Sequence, residues 1–353
     1  MRQLDARTAI KMALRGTWKF AVRRPLAVSF EVTHSCSCNC RHCDHGGRLK
    51  GEKRLSAEDY HRLELRLRPV LLQLSGGEPT LRPDLVDIVR AVKEPSGMPY
   101  LILVSNGSEL TEDLYLQCVE AGVNQFSISL DFPDERHDDF RRNKGLYRRL
   151  SDLIPRLSKY GYDNIVMNTA ITRWNLPYLE DCYRRAKEWG VGISYSAYTS
   201  LRTGNSEFDI RDEDDLELLR RTIDRLLEIK YGEGGIVNSD WTLRGTYRFF
   251  RDRGIPHCKA GVRSLVVNPD GTFRPCSMYD LRYRDLGEVK REFVRHNTCG
   301  ACYVSIRAYL NESYWTLLTE NIKERVLGKT GADCSCQTIP ASTETADKKI
   351  AVG

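Results

Sequence analysis

Between residues 26 and 200, short β-branched runs alternate with stretches whose apolar positions recur at steps of three and four. The runs 28–33 (VSFEVT), 70–75 (VLLQLS), 100–104 (YLILV), 125–130 (QFSISL), 164–170 (NIVMNTA) and 191–197 (VGISYSA) predict strands, and amphipathic helices are predicted near 57–68, 83–93, 110–121, 147–160 and 177–189. Six strands alternating with helices describe an α/β fold, a parallel sheet or partial barrel. In such sheets chemistry gathers at the carboxyl ends of the strands.

The pattern divides the rest of the chain. Residues 1–25 read as a basic helix stopped by Pro25, and 26–200 as the barrel. Residues 201–254 form a bridge, acidic and then helical (DEDDLELLRRTIDRLLEI). Residues 255–328 change character: the strands RSLVV and FRPC flank the turn signal NPDGT at 268–272, which predicts a hairpin-based module. Residues 329–353 lack periodicity and are expected to be disordered.

Of 353 residues, 41% are hydrophobic and 29% charged, ordinary values for a globular protein. With no run of eighteen apolar residues and no secretory signal pattern, the expected location is cytoplasmic. The net charge of +6 lies within residues 1–24, where seven Lys and Arg face only Asp5. The remainder is neutral, which argues against a nucleic-acid partner. In residues 6–24, Arg7, Lys11, Arg15, Lys19 and Arg23 recur every four positions, and so do Ile10, Leu14, Trp18 and Val22. Two readings stay open. Anionic lipid headgroups would relieve the repulsion between like charges, giving peripheral contact at the inner membrane face. Alternatively, the helix docks across the base of the barrel with its arginines solvated.

The twelve cysteines are clustered: Cys36, Cys38, Cys40 and Cys43; Cys258 and Cys276; Cys299 and Cys302; Cys334 and Cys336. In an intracellular chain such clusters point to metal ligation more than to disulfides. Cys118 and Cys182 stand alone in helical patterns and read as small buried hydrophobes. Cys36, Cys40 and Cys43 have CxxxCxxC spacing at the end of the first strand. Three thiolates can hold three corners of a four-iron cluster and leave one iron open, as catalysis requires. A closed zinc site that borrows Cys38, His42 or His45 fits the local spacing equally well. Taken singly, the downstream groups also have ordinary readings: Gly76 and Gly77 as a tight turn, Glu78 before Pro79 as a helix start, Ser105, Asn106 and Ser129 as caps, His137 and Arg141 as a surface pair. Those readings leave unexplained why every such group falls at the same face of the sheet.

The stretch FEVTHSCSCNCRHCD resembles the signature loop of the radical S-adenosylmethionine (SAM) enzymes, with His42 in the position before the last cysteine. LSGGEP (74–79), VSNGS (104–108), ISLDFPDERHDDFRRNKG (128–145) and MNTAITRWN (167–175) resemble that family's later motifs, each at the end of its strand. The resemblance covers residues 28–200 and implies a partial (β/α)6 TIM-like barrel. It implies a [4Fe-4S] cluster with one open iron on Cys36, Cys40 and Cys43, with SAM bound there. Gly76, Gly77 and Glu78 would face the SAM amino end, and Ser105, Ser129 and Asn168 its ribose and carboxylate. Cys38 would be a bystander. The family cleaves SAM reductively to a 5′-deoxyadenosyl radical, which abstracts hydrogen from an unactivated carbon.

Cys258, twelve residues, Gly271, four residues and Cys276, followed by the CxxC of Cys299 and Cys302, resemble the auxiliary-cluster modules called twitch and SPASM. Ala308 stands where the longer SPASM form continues with cysteine, so the match is to the shorter form. It implies an auxiliary [4Fe-4S] cluster closed by four cysteines; a zinc ribbon would use the same geometry. The cofactor pair implies an external electron donor such as flavodoxin or ferredoxin. For substrate, the basic N-terminal helix favours a membrane lipid or isoprenoid, followed by a ribosomal peptide and then a sugar or aminoglycoside. A non-catalytic iron–sulfur or zinc protein is the alternative of another class.

Overall fold

A computed structural model describes residues 6–313 except residue 95, together with 315, 316 and 319. The expected tail at 329–353, with Cys334 and Cys336, lies outside the described residues.

Helix α1 (Ala6–Ala21) precedes six strands, β1 (Ala27–Thr33), β2 (Leu71–Gly76), β3 (Tyr100–Ser105), β4 (Gln125–Ser129), β5 (Ile165–Ile171) and β6 (Gly192–Ala197). Helices α2 (Ala57–Leu67), α3 (Leu85–Val92), α4 (Glu112–Ala121), α5 (Arg136–Arg141), α6 (Leu146–Ser158) and α7 (Leu179–Glu188) provide the crossovers. Local chemistry sets their limits. Ser56 and Asp59 close a capping box on α2, and Thr111 caps α4 before Gly122 ends it in the left-handed conformation. All of β1 is buried, as expected of a strand at the centre of a sheet with parallel neighbours.

Two long helices, α8 (Glu213–Gly232) and α9 (Asp240–Arg251), follow the barrel and are tied by the Lys230–Asp240 ion pair at 2.9 Å. The hairpin of β7 (Ser264–Val267) and β8 (Phe273–Arg274) turns at Gly271, whose φ of +89° only glycine adopts readily. Short α10 (Leu286–Glu288) and α11 (Ser305–Asn311) complete the described chain.

The sheet order is β6-β5-β4-β3-β2-β1-β7-β8, parallel throughout except for the antiparallel β7–β8 pair. The hairpin therefore does more than follow the barrel. Residues Ala27 to Phe30 pair with Ser264 to Val267, so β7 covers the edge that β1 would otherwise expose.

Helix α1 lies across the base, against the segments that enter β2 and β3. Arg15 pairs with Glu94 at 2.9 Å and donates to Pro69 O, while buried Lys19 donates to Leu67 O. The expectation of solvated arginines is corrected at Arg15, which turns inward together with Lys19, because carbonyls and a carboxylate at the base offer them partners.

Candidate functional site

The loop after β1 carries the first cysteine set. Cys36 N donates to Gly47 O at 2.9 Å and closes the loop on itself, while Asn39 N and Arg41 N donate to Arg141 O and Phe140 O and strap it to α5. Each of the three expected ligand sulfurs receives a donor. Cys36 Sγ accepts from Cys38 N (3.4 Å) and Asn106 Nδ2 (3.6 Å), Cys40 Sγ from Arg141 Nη1 (3.7 Å), and Cys43 Sγ from His45 N (3.4 Å). Such donors favour the thiolate that a metal needs. The Cys38 thiol and Arg141 bring Cys40 down to about 7 against burial, whereas burial leaves Cys43 raised. Cys38 is 1% exposed, with its sulfur taking a hydrogen bond from Asn143 Nδ2 at 3.3 Å.

Beneath this loop, Asp131 is fully buried. It accepts from Arg141 Nε at 2.6 Å and from Ala170 N at 3.1 Å, and its own N–H donates to His137 Nδ1. His137 and Arg141 are therefore not the surface pair that their spacing suggested: His137 is fully buried, and both side chains are organised around Asp131. His42 is half-buried, stacked on Phe140 at 4.6 Å between centroids, and desolvation lowers it to about 4, a neutral packing group.

The glycine pair brings β2 against the cluster loop. Gly77 N donates to Thr33 O at 2.7 Å and Glu78 N to Ser35 O at 2.8 Å. A methyl group at position 77 would lie 2.2 Å from Ser35 O, and Gly76 has φ +126° with Thr33 O 2.1 Å from where its Cβ would be. Close backbone approach, and at Gly76 a left-handed conformation, explain both glycines. The Glu78 carboxylate is fully buried and accepts from Thr80 N, Thr80 Oγ1, Ser105 Oγ and Asn106 N at 2.6–3.1 Å. Its side chain thus knits the end of β2 to the end of β3, and Ser105 is spent on the same knot.

Inside the sheet, alternate residues of the strands point into a chamber of about 290 Å³. Ser29, Glu31, Gln73, Ser75, Ser127, Asn168 and Ser196 line it. A packed barrel would fill this space with Val, Ile and Leu; short hydroxyl side chains leave room for a ligand and give it hydrogen-bond partners. Asn168 Nδ2 donates to Ser127 Oγ at 3.3 Å, and Ser129 Oγ reaches Ser105 O at 3.5 Å.

Cys258, Cys276, Cys299 and Cys302 line the far side of the same chamber. Asn297 organises them, donating to Cys258 O and accepting from Cys299 N. Tyr279 OH lies 3.6 Å from Cys299 Sγ, and Arg307 Nη1 lies 3.5 Å from Cys302 Sγ. Ser305 N and Oγ bond Ser196 Oγ and Tyr195 O, fixing the CxxC end to β6.

The spacing of the thiols bears on which metal group they suit. A single zinc at 2.3 Å from each thiolate would draw the sulfurs to ~3.8 Å of one another. Among the described residues, the one set of three or more His, Cys, Asp or Glu ligand atoms within 4.8 Å of each other is Glu31, His34 and His45, with no cysteine in it. No three thiols of either cysteine set come within 4.8 Å of one another among the described residues. The Glu31 set is itself unsuited to a cation, because Arg274 pairs with Glu31 and Arg202 stands 2.5 Å from His45 Nε2.

Comparison with known proteins decides the family. The profile of the radical SAM superfamily matches residues 30–186. The AdoMet-dependent heme synthase of Oleidesulfovibrio alaskensis is 33% identical over 78% of this chain and 81% of its own length. The chain belongs to the radical SAM superfamily. The PqqA peptide cyclase of Ruegeria pomeroyi is 28% identical over 73% of this chain and 69% of its own. In fold, SuiB of Streptococcus suis bound to S-adenosylmethionine superposes with a TM-score of 0.59 at 16% identity, covering 88% of this chain and 75% of that one. As a member of this superfamily the chain is a radical SAM enzyme using a [4Fe-4S] cluster and SAM, with the partial TIM-like barrel its motifs implied. No helix among the described residues is long and apolar enough to cross a membrane.

The structure thus brings Cys36, Cys40 and Cys43 into one loop beside Gly76, Gly77 and Glu78, and gathers Cys258, Cys276, Cys299 and Cys302 across the chamber. Sequence reasoning did not single out Arg202, Arg274, Arg307, Ser127 or Asn297. The i, i+2 pairs Ser29/Glu31 and Gln73/Ser75 on strands were a usable signal for the lumen; the arginines had none, since they meet their partners only through the fold.

Proposed function

We propose that this chain is a two-cluster radical SAM enzyme that oxidises or cross-links a peptide. Cys36, Cys40 and Cys43 hold the SAM-binding cluster, and Cys258, Cys276, Cys299 and Cys302 hold a twitch-type auxiliary cluster. When bound, cluster and SAM together supply a radical able to take hydrogen from carbon. The observation that carries the reading is the shared chamber, which runs from Gly76 and Asn168 beside the first cysteine loop to the four auxiliary thiols. The backbone carbonyls around Gly76 and Gly77 are the natural partners for the SAM amino group, since the Glu78 side chain is engaged by Thr80, Ser105 and Asn106. Ser127, Ser129 and Asn168 offer hydroxyl and amide contacts to the ribose and carboxylate. An electron enters from an external donor such as flavodoxin or ferredoxin.

Peptide is favoured over the lipid or isoprenoid first expected, because a relative aligned over most of both chains is a peptide cyclase. A chamber of about 290 Å³ also suits one inserted side chain. A tetrapyrrole is the second reading, favoured by the 33% identity to a heme synthase and by Arg202 in the chamber wall, a ready partner for a substrate carboxylate. The test is anaerobic reconstitution, reduction and incubation with SAM, followed by chromatography for 5′-deoxyadenosine. Iron should reach about eight atoms per chain and fall to about four in Cys276→Ala/Cys299→Ala, as two four-iron clusters require. Absence of 5′-deoxyadenosine sinks the enzyme reading, and unchanged iron sinks the auxiliary cluster. Turnover stimulated by a porphyrin carboxylate and not by peptides would select the second reading.

A further inference from the structure

We propose that α1 is a membrane-docking element: its outward face lies in the headgroup plane of an anionic bilayer. The helix is amphipathic in an unusual sense. Its inner face is partly basic, with Arg15 and Lys19 engaged at the base of the barrel and Phe20 under the Arg263 guanidinium at 4.4 Å. Its outer face carries Ile10, Leu14 and Trp18, continued by Val22 in the turn just past its end; they are 59%, 68%, 52% and 42% exposed. Steps of four residues advance the stripe by about 40° each, so these side chains span about 18 Å of helix within an arc of about 120°. That is one side of a helix resting on a plane, with an aromatic residue of the interfacial type at its centre.

The charge around the stripe names the occupant. Arg7, Arg23 and Arg24 flank it at both ends and are exposed, with Lys11 beside it. The first 24 residues carry +6 on a chain otherwise neutral. A second copy would bring like charge against like charge, and four side chains of one helix fall well short of the ~800 Å² per partner of a stable dimer. Lipid phosphates supply the opposite charge and hydrocarbon accepts the side chains. The geometry has a consequence: α1 sits at the end of the barrel opposite the cysteine loops, so docking leaves the chamber facing the aqueous phase. The inference concerns this helix alone and stands whatever the substrate.

Flotation of the full-length protein with phosphatidylcholine vesicles and with phosphatidylcholine/phosphatidylglycerol vesicles tests it. Wild type should float with the anionic vesicles and remain below with the zwitterionic ones. Each cation near the surface contributes roughly fivefold to partitioning, so Arg7→Gln/Arg23→Gln/Arg24→Gln should weaken binding by about a hundredfold. Leu14→Ser/Trp18→Ser, both at exposed positions and checked for folding by circular dichroism, should abolish it. No flotation of wild type with anionic vesicles, or undiminished flotation of Leu14→Ser/Trp18→Ser, overturns the proposal. So does a wild-type oligomer that Leu14→Ser/Trp18→Ser converts to monomer, which would assign the stripe to a second copy.

Discussion

Replacing Gly77 by alanine tests whether the β2 turn and the cysteine loop act as one rigid unit. The added methyl would stand 2.2 Å from Ser35 O and 2.6 Å from His34 O, and both obstacles are backbone. Carbon essentially never approaches closer than 3.0 Å, so Ser35 O has to retreat by at least 0.8 Å, the difference between 3.0 and 2.2 Å. Ser35 immediately precedes Cys36, and the retreat also strains the bonds from Gly77 N to Thr33 O and from Glu78 N to Ser35 O. Overpacking of this kind costs about 1–3 kcal/mol of stability, a fall of a few degrees in Tm that a chain of this size survives. The catalytic effect should be larger, because misplacing reacting groups by about 1 Å costs on the order of a hundredfold. The assay is the rate of 5′-deoxyadenosine formation from SAM under reducing, anaerobic conditions, with iron content and Tm measured on the same preparation. A folded Gly77→Ala protein whose rate stays within about threefold of wild type would refute the close-contact argument.

Two further outcomes follow from buried charge. Arg141→Met leaves Asp131 fully buried with its principal partner gone, which should cost about 3–5 kcal/mol in denaturant unfolding, and Asp131→Asn/Arg141→Met should recover part of it. A loss below about 1 kcal/mol would show that Asp131 is not held by Arg141. Under α1, burial and the neighbouring Glu94 carboxylate raise Glu64 to about 7, and its Oε1 has no hydrogen-bond partner. Because the folded value lies above the unfolded one, this stability is present below about pH 4.5 and is lost as pH rises through 7. Wild type should therefore lose Tm across that window relative to Glu64→Gln; parallel Tm–pH curves would contradict the assignment.

Much of the molecule was legible because its determinants are local. The six barrel strands and five of the six crossover helices, all but α5, follow from apolar periodicity, and their observed ends lie within a few residues of those expected. The turn at 268–272 follows from its own residues, with Gly271 supplying the positive φ. The CxxxCxxC and CxxC spacings, read with LSGGEP and its companions, pointed to the family before any geometry was known.

Other features needed the fold, since they rest on contacts between residues far apart in the chain. Nothing near β7 announces that it pairs with β1, more than 230 residues earlier, and so closes the sheet edge beside the chamber. His137 and Arg141 look like surface residues until Asp131 is placed between them. The Glu78 carboxylate gains Thr80, Ser105 and Asn106 as partners, and two of these reach it only through the fold. In α1 the sequence carries two interleaved stripes of equal period and offers no way to choose which faces out. The carbonyls and carboxylate at the base of the barrel make that choice by drawing Arg15 and Lys19 inward. Sequence alone determined the elements, the cysteine sets and the family; tertiary structure decided which polar groups are spent on one another and which remain for a ligand, because burial and pairing are properties of neighbours in space.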